Sequence, residues 1–165
     1  MPATKKESSI LFVCMGNICR SPTAEGVLRA KLEAAGLARE VRVDSAGTHG
    51  YHVGEAPDPR AVRFAAARGY DLARLRARRV AREDFSRYDW ILAMDEDNLT
   101  RLRQIAPDDA GADLGLLMDH ALRHSGVREV PDPYYGAAAG FERVLDLVED
   151  ACEGIVARLL RARSS

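Results

Sequence analysis

No stretch of the 165 residues stays apolar for the length a membrane-spanning helix needs. Residues 1–9 are polar and lack the hydrophobic centre of a secretory signal. Both absences lead to the expectation of a cytoplasmic protein, with secretion without a signal peptide left open. Cysteine is scarce: there are 3, an odd number. In a reducing compartment that argues for thiol chemistry or core filling rather than a disulfide framework, and Cys152, within a helical pattern, reads as a small buried hydrophobe. An excess of one charge is missing as well. With 24 basic and 25 acidic residues, net −1, there is no electrostatic footprint for nucleic acid and no sustained basic face for anionic lipid. The arginine-dense run 74–82 is the local exception and reads as a solvated helix or loop surface. His120 and His124 have i,i+4 spacing, but no third ligand is signalled. They read as part of a solvated helix face, and no metal is expected.

What is present is an ordinary globular composition, 47% hydrophobic and 30% charged, in one domain's length of chain. Strand-like and helix-like patterns alternate. Residues 10–13 are a buried apolar strand, followed by an amphipathic helix over 22–35, with Ser21 as N-cap, Pro22 at the first helical position and Gly36 just past the end. Residues 41–45 read as a second strand and 46–54 as a glycine-punctuated segment. A helix over 58–68 ends at Gly69. A third strand covers 88–94, and a helix over 96–105 is capped by Asp95 and stopped by Pro107. A fourth strand is placed at 114–118, a loop at 131–136 and a long helix at 141–161. This order predicts a single α/β domain: an open, twisted sheet of four parallel strands with helices on both faces. Ligands of such sheets bind beyond the carboxyl ends of the strands, where strand order switches.

Cys14 lies at such an end, in Val13-Cys14-Met15-Gly16-Asn17-Ile18-Cys19-Arg20-Ser21-Pro22. A strand-end thiol, an arginine six residues later and a helix start behind both make a phosphate trap with a nucleophile at its base. A thiol with its reference pKa of about 8.5 is a weak nucleophile at neutral pH. The helix N-terminus, the Arg20 cation and the Ser21 hydroxyl would favour its thiolate, and the same groups would hold a phosphate dianion. Gly16 and Asn17 tolerate left-handed backbone angles, which suits a loop whose amides turn inward. No Gly-Lys-Ser/Thr pattern is present, so a nucleotide-binding loop fits poorly.

These residues resemble the signature of the low-molecular-weight protein tyrosine phosphatases, of the bacterial type. Asp44-Ser45-Ala46-Gly47-Thr48, Met94-Asp95-Glu96-Asp97-Asn98 and Asp132-Pro133-Tyr134-Tyr135-Gly136 match further landmarks of that family in order. The similarity spans residues 9–161, the domain is placed at 9–163, and residues 1–8 look like a flexible addition. The resemblance implies hydrolysis of protein phosphotyrosine and small aryl phosphates through a phosphocysteine, with release of inorganic phosphate. Cys14 would be the nucleophile and Arg20 the phosphate clamp. Asp132 would be the general acid, stiffened by the prolines on either side. Residues 15–21 would form the phosphate loop. Tyr134 and Tyr135 would line the substrate cleft as targets of phosphorylation themselves, with Tyr51 on the opposite wall. Ser45 would bond to Asn17, and Asp95 would support the site besides capping its helix. Cys19 would trap an oxidised Cys14 as a disulfide. Where animal members often carry a histidine, this chain has Leu75. No metal or cofactor is implied. Partners would be phosphotyrosine-containing proteins, a bacterial tyrosine kinase among them, acting on a monomer or weak dimer.

Two other reactions use the same fold. Thiol-dependent arsenate reduction needs a relay of two further cysteines in mid-chain, and none lies between Cys19 and Cys152. Phosphoarginine phosphatases resemble Cys-Thr-Gly-Asn-Thr-Cys-Arg and tend to lack the tyrosine pair. Ile18 and Tyr134-Tyr135 favour an aromatic leaving group here.

Overall fold

A computed structural model describes residues 8–164. The addition expected over residues 1–8 lies outside them, apart from Ser8, which opens the first strand. Four parallel strands form one sheet: β1 (Ser8–Cys14), β2 (Val41–Gly47), β3 (Trp90–Ala93) and β4 (Asp113–Leu116), in the order β2-β1-β3-β4. The chain moves outward from β1 to β2, then returns to the other side of β1 for β3. The switch in strand order therefore falls at the carboxyl end of β1, and Cys14 is its last residue, paired in register with Gly47.

Side chains of β1 alternate between two cores. Ile10 and Phe12 face a cluster completed by α1 (Arg20–Ala34), α2 (Pro59–Ala67) and α5 (Ala138–Ser164). Leu11 and Val13 face a second cluster, closed by Phe85 of the short helix α3 (Asp84–Arg87) and by Leu99 and Leu102 of α4 (Glu96–Ile105). Burial on both faces is why this strand reads as a continuous apolar run rather than an alternating one.

Several expected boundaries shift. Helix α1 begins at Arg20, so Pro22 is its third residue, and Ser21 lies inside the helix with its hydroxyl turned to the site. Cys19 takes the N-cap position without a side-chain cap bond. Nor is α1 amphipathic at its start: residues 20–28 are buried all round, including Arg20, Ser21, Thr23 and Glu25. Strand β4 stops at Leu116, and the chain tightens into a 3-10 turn, Leu117–His120. Asp95 caps α4 as expected, accepting from Asn98 N at 2.8 Å.

The two histidines do not share a helix face. His120 ends the 3-10 turn against the Trp90 ring. His124 sits in a turn bound to the fully buried Asp150 of α5. Among the described residues, no group of three or more His, Cys, Asp or Glu side chains is placed to hold a metal ion. No described helix is long and apolar enough to cross a membrane.

Asp150 anchors that turn. Burial alone would raise its pKa, but the backbone N–H groups of Arg123, His124 and Leu122 and the His124 ring outweigh burial and bring it down to about 2. A folded-state pKa below the unfolded value adds stability above about pH 4, lost as pH falls through the folded value. Asp150→Asn should therefore cost about 2 kcal/mol in urea unfolding at pH 7, and the gap to the parent chain should close towards pH 2.

Candidate active site

Beyond the end of β1 the chain turns through residues 15–19 before α1 takes over. None of the described residues accepts a hydrogen bond from the backbone N–H of Met15, Gly16, Ile18 or Cys19. Four unpaired donors in one short loop, at the head of a helix, form a concavity suited to an anion. The fifth loop amide, Asn17 N, points at Cys14 Sγ, 3.3 Å away. Asn17 holds the loop's left-handed residue, φ 59°. Gly16 tolerates that conformation but does not adopt it. Its small size matters instead, because a Cβ there would meet His52 Cδ2 at 3.0 Å. A Cβ on Gly47 would fall 2.8 Å from Met15 O, so β2 approaches the loop as closely as only glycine permits.

A chain of polar side chains supports the loop from beneath. Asn17 Nδ2 donates to Ser45 Oγ at 3.0 Å, the expected pair, and also to Ser21 Oγ at 2.8 Å. Ser45 gives its own proton to Glu25 Oε1 at 2.6 Å. Since Ser21 Oγ accepts from Asn17, its proton is left for the Cys14 sulfur at 3.0 Å, with Ala46 O further off at 3.4 Å. Asn17 Oδ1 in turn accepts from Arg78 N at 3.0 Å. Arg78 is therefore not a bland member of the arginine run: its guanidinium joins Asp44 and Asp84 and fixes the segment that carries this N–H. Leu75 packs against the main core. Glu25 was not singled out in the sequence, where an acid in a helical pattern reads as solvated. Burial pushes its carboxyl up, partly offset by Ser45 and Arg29.

Arg20 is buried, and its Nη1 donates to Asp95 Oδ2 at 2.6 Å and to Val130 O at 3.0 Å. Asp95 thus both caps α4 and orients the guanidinium. Nη2 lies 3.7 Å from Asp132 Oδ2. Burial works against the Arg20 charge, but Cys14, Asp95 and Asp132 outweigh it and raise its pKa. The result is a permanent cation held by its far side.

Around this floor opens a cleft of about 250 Å³. Asp132, Tyr51, Tyr134 and Tyr135 all line it, joined by His52, which carries no signal in the sequence. Tyr134 and Tyr135 meet edge to face at 4.9 Å, and Tyr51 stacks on His49 at 5.2 Å. Tyr135 is 95% exposed and Tyr51 72%, so large aromatic surface stands open at the rim. Cys14, Cys19 and Cys152 are all free and buried, and burial above all pushes the Cys19 thiol well up. Cys152 is walled into the core on α5, remote in role from any thiol relay. A buried thiol between unpaired amides and a fixed guanidinium, under a carboxyl and an aromatic rim, can bind an aryl phosphate and attack it.

The fold and this loop define a cysteine-dependent phosphatase class, and the whole-chain comparisons agree. The sequence pattern described as low molecular weight phosphotyrosine protein phosphatase matches residues 9–165. The chain belongs to that family and is a protein-tyrosine-phosphatase of the low-molecular-weight kind. It is 46% identical to a low molecular weight protein-tyrosine-phosphatase of Streptomyces coelicolor, over 90% of this chain and 91% of the relative. Among solved structures, a protein tyrosine phosphatase of Entamoeba histolytica with Hepes in its active site superposes with a TM-score of 0.89. It is 39% identical, covering 94% of this chain and 99% of its own. YfkJ of Bacillus subtilis gives a TM-score of 0.87 at 34% identity, covering 98% and 99%.

Proposed function

We propose that the chain hydrolyses phosphotyrosine in proteins, and small aryl phosphates, in two steps through a phosphocysteine on Cys14. The observation that carries this is the Cys14 sulfur set between Asn17 N and the Ser21 hydroxyl, beneath four unpaired amides and Arg20. The Cys14 thiolate attacks phosphorus in line with the phenolic oxygen. Loop amides and Arg20 hold the three remaining oxygens and tighten on them as charge redistributes. The S–P bond forms as the P–O bond breaks, and Asp132 gives its proton to the departing phenolate. Asp132, now a carboxylate, takes a proton from water. That water attacks phosphorus, inorganic phosphate leaves, and the sulfur recovers its electron pair. The scheme calls for no metal or cofactor.

Tyr51, Tyr134 and Tyr135 serve as aromatic walls for the tyrosine ring. Substrates are phosphotyrosine proteins of the cytoplasm, a bacterial tyrosine kinase among them, and the enzyme works as a monomer or weak dimer. A peptide panel tests the reading. Phosphotyrosine should be hydrolysed roughly 100-fold faster than phosphoserine or phosphoarginine, and EDTA should leave the rate unchanged. Preference for phosphoarginine would overturn the aromatic-cleft assignment.

A further inference from the structure

Two prolines stiffen the loop that carries Asp132, but they do not fix where it sits. On its amino side Val130 is held by Met94 O and by Arg20, and on its other side α5 begins at Ala138. Between them, residues 131–136 make internal bonds: Tyr134 N donates to Asp132 Oδ1 at 3.0 Å, and Gly136 N to Pro133 O at 2.9 Å. Among the described residues, one hydrogen bond ties this stretch to another element. Arg60 Nη2, on α2, donates to Tyr134 O at 2.8 Å. The Arg20 guanidinium reaches the Asp132 carboxylate only at 3.7 Å.

Arg60 is itself held by Asp58 and by two aromatic rings. Its Nε and Nη2 fork onto Asp58 at 3.1 and 2.9 Å. Its guanidinium lies over the Phe141 ring at 4.8 Å and the Tyr134 ring at 5.8 Å. Asp58 caps α2 and donates its own N–H to Ile18 O in the phosphate loop at 2.8 Å. A continuous path thus runs from the phosphate loop at Ile18, through Asp58 and Arg60, to Tyr134 and the Asp132 carboxyl. The ion pair persists at neutral pH, since Arg60 pulls the Asp58 carboxyl below its ordinary range.

We propose that Arg60 is a positioning residue for proton delivery: by gripping the Tyr134 carbonyl from a base fixed to the phosphate loop, it sets the Asp132 carboxyl at the height of the leaving oxygen. The inference rests on Asp132 being the general acid. A proton donor works only within hydrogen-bond reach of the departing oxygen, and a displacement of about 1 Å costs up to roughly 100-fold. Lysine would be a poor substitute, since a single ammonium cannot fork onto Asp58, bond a carbonyl and stack on two rings together.

The test is a leaving-group series, from 2,4-dinitrophenyl to phenyl phosphate, read as kcat/KM. Arg60→Ala should lose roughly tenfold on phenyl phosphate and under about threefold on the dinitrophenyl ester, whose leaving group needs no proton. Arg60→Lys should recover part of the loss. In an Asp132→Ala background, Arg60→Ala should add no further leaving-group dependence. Equal losses across the series, as from a general loosening of the fold or a weaker Tyr134 wall, would overturn the role of Arg60. So would full additivity with Asp132→Ala. A flat series for Asp132→Ala alone would instead overturn the acid assignment beneath it.

Discussion

Cys14→Ser is expected to reduce turnover of aryl phosphates by at least roughly 10⁴-fold while leaving vanadate or phosphate binding within about tenfold of the parent chain. The two quantities separate because binding and attack use different atoms. On the proposed reading the anion is held by the amides of Met15, Gly16, Ile18 and Cys19 and by Arg20, none of which bonds to the Cys14 sulfur; Asn17 N does, at 3.3 Å, and can donate to a serine oxygen instead. Serine keeps the small side chain below them and its contact to Ser21, but an alcohol at that point is un-ionised and far less nucleophilic. Steady-state rates on 4-nitrophenyl phosphate and equilibrium titration with vanadate measure the two effects. Loss of binding in parallel with turnover would mean that the loop had collapsed, and survival of turnover would remove Cys14 from the chemistry.

Asp132→Ala is expected to show the second large effect, and its size should depend on the substrate. On phenyl phosphate kcat/KM should fall roughly 10²- to 10³-fold, because the phenolate must otherwise depart unprotonated. On 2,4-dinitrophenyl phosphate the loss should stay under about tenfold. Asp132 has a side chain 40% exposed; its removal takes away the Tyr134 N–Asp132 Oδ1 bond and the 3.7 Å contact to Arg20 Nη2, but the buried guanidinium keeps Asp95 Oδ2 and Val130 O, so the phosphate clamp should stay in place. Equal losses on both esters would refute the acid role.

Much of this site could be read from the chain because its chemistry is compressed into one run of sequence. Cys14, Asn17, Arg20 and Ser21 lie within eight positions, and the apolar strand before them with the helix after them fixes their mutual geometry. The sheet was equally legible: alternating elements and a strand buried on both faces lead to a parallel, doubly covered arrangement. The Asn17–Ser45 bond was expected and is made at 3.0 Å.

What escaped the sequence are residues whose role depends on distant partners. Glu25 sits on what looks like an amphipathic helix, yet the start of α1 is buried all round, and the acid serves Ser45. Arg78 is indistinguishable from its neighbours in an arginine-rich run until Asp44 and Asp84 close on it from elsewhere. Asp58 and Arg60 carry a local signal, an acid before proline at a helix start, but their tie to Tyr134 joins positions 74 apart. His120 and His124 misled by spacing. Their i,i+4 relation implies a helix face only if a helix is there, and the chain instead turns over the buried carboxylate of Asp150.

The covalent step is the centre of the account, and it can be observed directly. Asp132→Ala enzyme mixed with 2,4-dinitrophenyl phosphate should form the intermediate readily and release it slowly, since the base that activates water is gone. Rapid acid quench followed by peptide mass spectrometry should place one phosphoryl group on Cys14 within the first turnover. Phosphate on any other residue, or a burst-free reaction with no phosphoprotein at any time, would contradict it.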